Sequence, residues 1–553
     1  MITDHLADLV AEALRSAQKD GVIASEELPS IAFERPRRRE HGDWATNVAL
    51  SAARGKGNPR AVAEAIVERL PASDLVARVE VAGPGFLNFH LSYAWLADVA
   101  RRASDPASRF GHPREKQQEK VNVEYVSANP TGPINVVSGR HAAVGDAVSN
   151  LLESLGHEVT REYYINDSGR QISLFAASVA ARYLNQFGVD AQVPEEGYHG
   201  EYLVDAAKKI AAEYGDAFVS MSDAEREDKL RDIALALMIE MARKSLERFG
   251  TRFDVWFSEQ GRLHSTGAID AALERLRERN AVEEREGAVW FLSTRYGDDK
   301  DRVIVRSDGA TTYLAGDAAY VLDKFERGFH RLIYLWGADH HGTVARLLGV
   351  AEALGFDRDA IDVRLIQIVT LKSGEEAIKS SKRAGNVVPL DELVDEVGAD
   401  AARYTFLTRS IDAPLEFDID LAKEQAPENP VYYVQYAHAR ICSILRNADE
   451  KGAGTDVDSA RLEMLRHNSE IELMRKLAAY EETLPEAATL RAPQRIARYI
   501  EELASAFSAF YRDCRVITDD AELTGARLTL CLGTKAVIAD ALGLLGVAAP
   551  ERM

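Results

Sequence analysis

The chain has 553 residues, 46% of them apolar and 28% charged, a balance that supports large buried cores and, at about 150 residues per domain, three or four domains. No apolar run reaches the ~18 residues of a membrane span, and the N-terminus "MITDHLADLVAEAL" carries early acids rather than the basic leader of a signal peptide, so a cytoplasmic protein with no membrane partner is expected. The net charge of −21 excludes a uniformly basic surface. It leaves room for local basic patches, such as "ERPRRRE", "KSSKRAG" and "HARICSILR".

Ile2, Leu6, Leu9, Val10 and Leu14 share one face of an opening helix. Further on, "VARVEVAGPGFLNFHLS" reads as strand, turn, strand. Together they make residues 1–108 a small α+β domain. "SDPASRFGHPREKQQEK" is polar and turn-rich, and reads as a linker. From residue 109 to 424 the order becomes strand–helix–strand: "VNVEYV", "AAVGDAVSNLLESLG", "HEVTREYYIND". That order calls for a parallel sheet of Rossmann type, an α/β fold. A largely helical, charged insertion is expected around 190–290. Strands then return with "DRVIVRSDG", "RLIYLWGAD" and "VRLIQIVTL". Residues 425–553 read as an all-α domain of long amphipathic helices. Cys442, Cys514 and Cys531 show neither metal-ligand spacing nor a disulfide framework, and no tightly bound metal is expected.

The stretch "ANPTGPINVVSGR" joins the first strand of that sheet to its first helix. In such sheets ligands sit beyond the carboxyl ends of the strands, and a helix N-terminus offers free N–H groups to a phosphate. Gly132 and Gly139 would let a backbone approach closely. The stretch matches neither the P-loop pattern nor the dinucleotide fingerprint.

The words around this turn are more telling. "VEYVSANPTGP" followed by "GRHAAVGDAVSNLLESLGHEVTREYYINDSGRQI" closely resembles the first nucleotide-binding segment of the arginyl-tRNA synthetases, class I enzymes. "ERPRRREHGDWATNVAL" and "AGPGFLNF" resemble that family's N-terminal additional domain. "GYHGEYL" and "FDVWFSE" resemble its middle segments, and "TTYLAGDAAY" and "IYLWGADHHG" its arginine-site segments. "IKSSKRAGNVVPLDELVDEVGADAARY" resembles its KMSKS loop and the helix that follows. "NPVYYVQYAHARI" and the chain end resemble its anticodon-binding domain. These blocks run in family order from about residue 31 to Met553. The resemblance implies an arginine–tRNA ligase that works on L-arginine, ATP with Mg2+ and tRNA(Arg), and that acts as a monomer.

The chain departs from the family at its first signature. Where the HIGH tetrapeptide stands in class I enzymes it has Asn135, Val136, Val137 and Ser138. Both histidines, which stabilise the charge developing on phosphate, are replaced by groups that cannot be cationic. Val137 adds a branched side chain where adenine lies. The second signature reads "KSSKR" and keeps both lysines, Lys379 and Lys382, on a loop between Gly374 and Gly385. Two readings follow: an active enzyme whose lysine loop carries more of the charge, or a catalytically impaired tRNA-binding relative. Maintenance of the rest of the site favours the first.

By resemblance, Asn135, Ser138, Lys379 and Lys382 are catalytic. Pro130, Gly132, Val137, Gly337 and His340 join them around ATP. Glu124, Asn129, Tyr313, Asp317 and Asp339 line the arginine pocket. Asp317 is the carboxylate suited to the planar guanidinium, and Tyr313, four residues earlier, shares its face if that stretch is helical. His141 reads as structural. Unstacked anticodon bases stack on aromatic rings. Of Tyr432, Tyr433, Tyr436 and Tyr511, Tyr436 and Tyr511 are chosen as tRNA contacts, with Arg440 and Met553 beside them. Arg37, Arg38 and Asn47 are the candidates at the tRNA elbow.

Overall fold

The computed structural model describes residues 2–23, 27–36, 38–53, 58–113, 118–374, 376–377, 388–454, 456–457 and 459–553. The N-terminal helix Ile2–Lys19 buries Ile2, Leu6, Val10, Ala13, Leu14 and Ala17. It packs near a three-stranded antiparallel sheet in which Phe86–Leu91 lies between Trp44–Thr46 and Val76–Ala82. Residues 105–113 do not hang free as a linker. Gly111 lies so close to the Tyr480 ring that a Cβ would stand 2.5 Å from it. His112 Nε2 bonds both oxygens of Asp540 at 3.1 Å, and Nδ1 meets Ser154 O. This segment therefore ties the first domain to the C-terminal one.

The central sheet has five parallel strands: β1 (Lys120–Glu124), β2 (Glu158–Ile165), β3 (Val255–Ser258), β4 (Arg331–Gly337) and β5 (Ile361–Ile366). Their order across the sheet is β5-β4-β1-β2-β3. Strand order thus reverses between β1 and β4, which opens a crevice beyond their carboxyl ends, the place where Rossmann sheets bind ligands. Helix α1 (Val136–Ser154) follows β1, α2 (Tyr313–Glu326) precedes β4, and α3 (His341–Ala353) joins β4 to β5.

Three of the sequence expectations shift here. β3 lies inside the stretch read as insertion yet is an edge strand of the main sheet. With four residues, it is too short to register among charged helices. The helical insertion is Arg170–Gln186, Glu201–Tyr214 and Asp223–Arg248, packed around its own core of Phe175, Tyr183, Leu203, Ile210 and Leu230. Arg302–Val305 is not a return of the main sheet. It belongs to a separate antiparallel sheet with Val282–Arg285 and Ala288–Phe291. "VRLIQIVTL" is also split. Its first part is in β5, while Val369–Ser373 pairs in parallel with Leu415–Asp418.

The C-terminal domain is helical: α4 (Pro430–Glu450), α5 (Asn468–Leu490), α6 (Gln494–Asp513) and α7 (Ala521–Leu544). Among the described residues no helix is long and apolar enough to cross a membrane. The C-terminal tail is pinned back onto α4. Gln435 Nε2 donates to Ala548 O at 2.9 Å, and His438 Nδ1 meets Pro550 O at 2.9 Å.

Candidate active site and tRNA surface

The chain leaves β1 through Val126 and Ser127, both left-handed, with φ of 67° and 41°. A β-branched residue there is a strained exception of the kind that gathers at functional sites. The turn is held down: Ser127 Oγ accepts from Tyr164 N–H (3.1 Å) and donates to Glu124 (3.3 Å), and the Tyr163 hydroxyl donates to Ala128 O (2.8 Å). The insertion braces the next residues. Tyr202 OH donates to Thr131 O at 2.7 Å and lies against Gly132, and Asn129 Nδ2 donates to Gln171 Oε1 at 2.7 Å. Gly132 therefore makes room for the Tyr202 ring.

Asn135 is the N-cap of α1, and its side-chain oxygen accepts from Ser138 N–H at 2.9 Å. Val136 N–H goes to Val388 O (3.1 Å), and Leu390 N–H returns to Ile134 O (2.8 Å). The helix start is thus less bare than the sequence suggests, because two of its first N–H groups are already taken. The same bridge ties the first signature to the chain just after the second. Gly139 permits close packing: a Cβ there would stand 2.6 Å from Leu390 Cδ1. Val137 is 40% exposed and faces open space. Arg140 is buried, with its guanidinium spent on Gln367, Ser410 and Ala413 carbonyls at 2.8–3.1 Å. Burial lowers its pKa to about 10. His141 is buried and bonded to the Leu335 backbone. Burial and then the Arg140 charge push its pKa down to about 4, leaving a neutral ring in a structural place.

Across the crevice β4 ends at Gly337, and a single turn, Ala338–His340, leads into α3. Asp339 and His340 are exposed there, and the His340 ring lies 5.7 Å from Trp336. Asp339 folds back over Gly337: a Cβ there would meet Asp339 Oδ1 at 2.5 Å. Lys379, Lys382 and Arg37 lie outside the described residues.

Beneath this rim three carboxylates gather. Asp317 comes from the second turn of α2, with Tyr313 one turn above it and 85% exposed. Glu124 is buried at the end of β1, and its Oε2 pairs at 2.6 Å with the fully buried Lys324 of α2. The ammonium of Lys324 lies 4.2 Å from the Tyr320 ring and 4.0 Å from the Tyr334 ring. Glu259, just past β3, closes the third side over Gly316. Burial, then the Glu124 and Glu259 charges, raise Asp317 to about 7. A cation entering here would relieve that repulsion. Glu259 and Lys324 are not among the residues expected from the sequence. An acid at a strand's carboxyl end was the available signal for the first. For the second it was the polar stripe Tyr313, Asp317, Tyr320, Lys324 at helical spacing.

The far surface lies on the helical domain. Tyr436 and Tyr511 are each 40% exposed, and the Arg440 guanidinium sits 4.8 Å from the first ring and 5.1 Å from the second. Met553 is exposed at the end of the pinned tail. In the N-terminal domain Arg38 is exposed and paired with Glu40 (3.3 Å). Asn47 is exposed at a helix start whose N–H groups it does not cap.

Comparison with known proteins shows the family of the domains that carry these residues. The profile "tRNA synthetases class I (R), catalytic domain" matches residues 107–408, "Arginyl tRNA synthetase N terminal domain" residues 4–91, and "DALR anticodon binding domain" residues 434–553. A curated "Arginine--tRNA ligase" of Moorella thermoacetica is 48% identical over 552 residues, covering 99% of this chain and 98% of that protein. The chain belongs to the arginyl-tRNA synthetases. Among solved structures, a putative arginyl-tRNA synthetase from Campylobacter jejuni matches with a TM-score of 0.76 and 36% identity, covering 84% of this chain and 100% of the other. The Thermus thermophilus arginyl-tRNA synthetase shares the fold, with a TM-score of 0.77 at 22% identity and full coverage of both chains. Arginine–tRNA ligation is this chain's activity, and the parallel sheet just described is its class I catalytic domain.

Proposed function

We propose that the chain joins L-arginine to tRNA(Arg) at the β1–β4 crevice, with ATP·Mg2+ as co-substrate. The observation that carries this is the convergence of Glu124, Glu259 and Asp317 at the floor of the crevice between β1 and β4. The guanidinium lies against Asp317 and Glu259, a planar fork against carboxylates, and Tyr313 closes over it. The α-ammonium faces Asn129 and Glu124. ATP lies along Pro130, Gly132, Asn135, Val137 and Ser138, with Gly337, Asp339 and His340 on the opposite wall. The arginine carboxylate oxygen attacks the α-phosphorus, forming arginyl-adenylate and releasing pyrophosphate, whose charge Lys379 and Lys382 neutralise. A terminal ribose hydroxyl of the tRNA then attacks the activated carbonyl and releases AMP.

Tyr436, Tyr511, Arg440 and Met553 form a stacking and phosphate-binding surface for anticodon bases. Arg37, Arg38 and Asn47 meet the elbow of the same tRNA, and one chain suffices for both contacts. The test is arginine-dependent charging of cognate tRNA with ATP and Mg2+, beside a Lys382→Ala control. Charging that the control loses supports this reading. Retained tRNA binding without charging would mark a tRNA-binding relative with an impaired site.

A further inference from the structure

Glu259 begins a π-helical turn, Gln260–His264, a rare conformation that concentrates at functional sites. Its first N–H groups are fixed: Asp167 Oδ1 accepts from Gln260 N–H and Ser258 Oγ from Gly261 N–H, each at 2.8 Å. The turn carries His264 back over the start, and its Nε2 stands 3.2 Å from Glu259 Oε1. The Tyr164 hydroxyl bonds the same carboxylate. The Glu259 side chain is only 10% exposed, while His264 is 33% exposed. A glutamate has three rotatable bonds, and a carboxylate that must meet a planar guanidinium gains from being fixed before the ligand arrives.

We propose that His264 is a positioning residue for arginine. Its Nε2–H holds one oxygen of Glu259, so that the carboxylate is turned toward Asp317 and presents its free edge to the guanidinium. This rests on the arginine-pocket assignment given above. The side chain does not touch the substrate. It acts only through Glu259, and its loss falls on arginine binding rather than on ATP or on the chemical step.

The test is steady-state charging by the full chain, with arginine, ATP and tRNA varied in turn, for His264→Leu, His264→Gln and Glu259→Gln. His264→Leu should raise KM for arginine about tenfold and leave kcat and KM for ATP within about twofold. His264→Gln keeps a donor and should stay within about threefold of the parent. An unchanged KM for arginine in His264→Leu, while Glu259→Gln raises it, overturns the proposal, as do equal rises for arginine and ATP. If Glu259→Gln is itself silent, the pocket assignment has failed and the proposal falls with it. Should His264→Leu not fold, His264→Glu against His264→Gln decides. A repelling carboxylate at 264 must raise KM for arginine while the glutamine variant does not, and equal values refute the role.

Discussion

Replacing Asp317 by asparagine should strengthen the empty protein and cripple the enzyme. The carboxyl group is raised from an ordinary 3.8 to about 7 by burial and by Glu124 and Glu259. At 1.36 kcal/mol per pH unit, that difference corresponds to roughly 4 kcal/mol of unfavourable charge. The group is half-buried, so solvent screening reduces this to about 1–2 kcal/mol. The sign follows from linkage. The folded value lies above the unfolded one, so the contribution of this group is most favourable below pH 4. It is lost as pH rises through about 7. Asparagine has nearly the same shape and no charge. Urea unfolding without arginine should therefore show Asp317→Asn more stable than the parent at pH 8, with the gap narrowing steadily below pH 7 and closing only near pH 4. Saturating arginine should stabilise the parent at pH 8 and leave the variant unmoved. In the parent, arginine affinity should weaken as pH falls below 7, by at most about tenfold per pH unit. A variant less stable than the parent at pH 8, or one still stabilised by arginine, would refute the reasoning.

Tyr511→Ala removes one stacking face and one partner of Arg440. It should raise KM for tRNA by the equivalent of about 1–3 kcal/mol and leave arginine-binding isotherms unchanged. Tyr202→Phe deletes a single 2.7 Å hydrogen bond to Thr131 O. It should cost about 1 kcal/mol, read as a several-fold rise in KM for ATP if the insertion braces the turn. Gly139→Ala pushes a methyl into Leu390. Overpacking of about 1–3 kcal/mol should appear as a lower unfolding midpoint and as slower charging, because the contact also spaces the two signatures.

Long, strongly patterned elements were legible in the sequence. β1, α1 and β2 alternate periods clearly enough to announce a parallel sheet, and the C-terminal helices show a buried face of regular spacing. β3 was hidden because four residues, Val255–Ser258, give too short a run to outweigh the helices before them. Arg302–Val305 was assigned to the wrong sheet for the opposite reason: its apolar alternation is sound, but nothing local says which strand it pairs with. Long-range contacts account for the missed chemistry as well. Lys324 finds Glu124 200 residues away, and the family blocks mark neither as a pair. Glu259 ends the stretch "FDVWFSE", and only the folding of β3 beside β2 brings it over Gly316.

The altered first signature is best understood as one device rather than two lost histidines. Because the Asn135 side-chain oxygen accepts from Ser138 N–H, the amide NH2 is turned the other way and remains a donor. Asparagine is a strong N-cap, so it secures the helix start while its NH2 group stays available as a donor. It cannot replace charge. Between Pro130 and His141 the cationic candidates are Arg140 and His141. The first is spent on buried carbonyls, and the second is held neutral. In the function proposed above, compensation for the developing phosphate charge then rests on Lys379 and Lys382, with His340 on the opposite wall. Replacing Lys382 should consequently cost this chain at least the ~10²–10³ in rate typical of a lost charge-stabilising donor. Restoring histidine at positions 135 and 138 together should recover part of that loss in the Lys382→Ala background, and charging rates of the combined variant at saturating substrates would decide it. No recovery would mean that the turn positions phosphate without stabilising its charge.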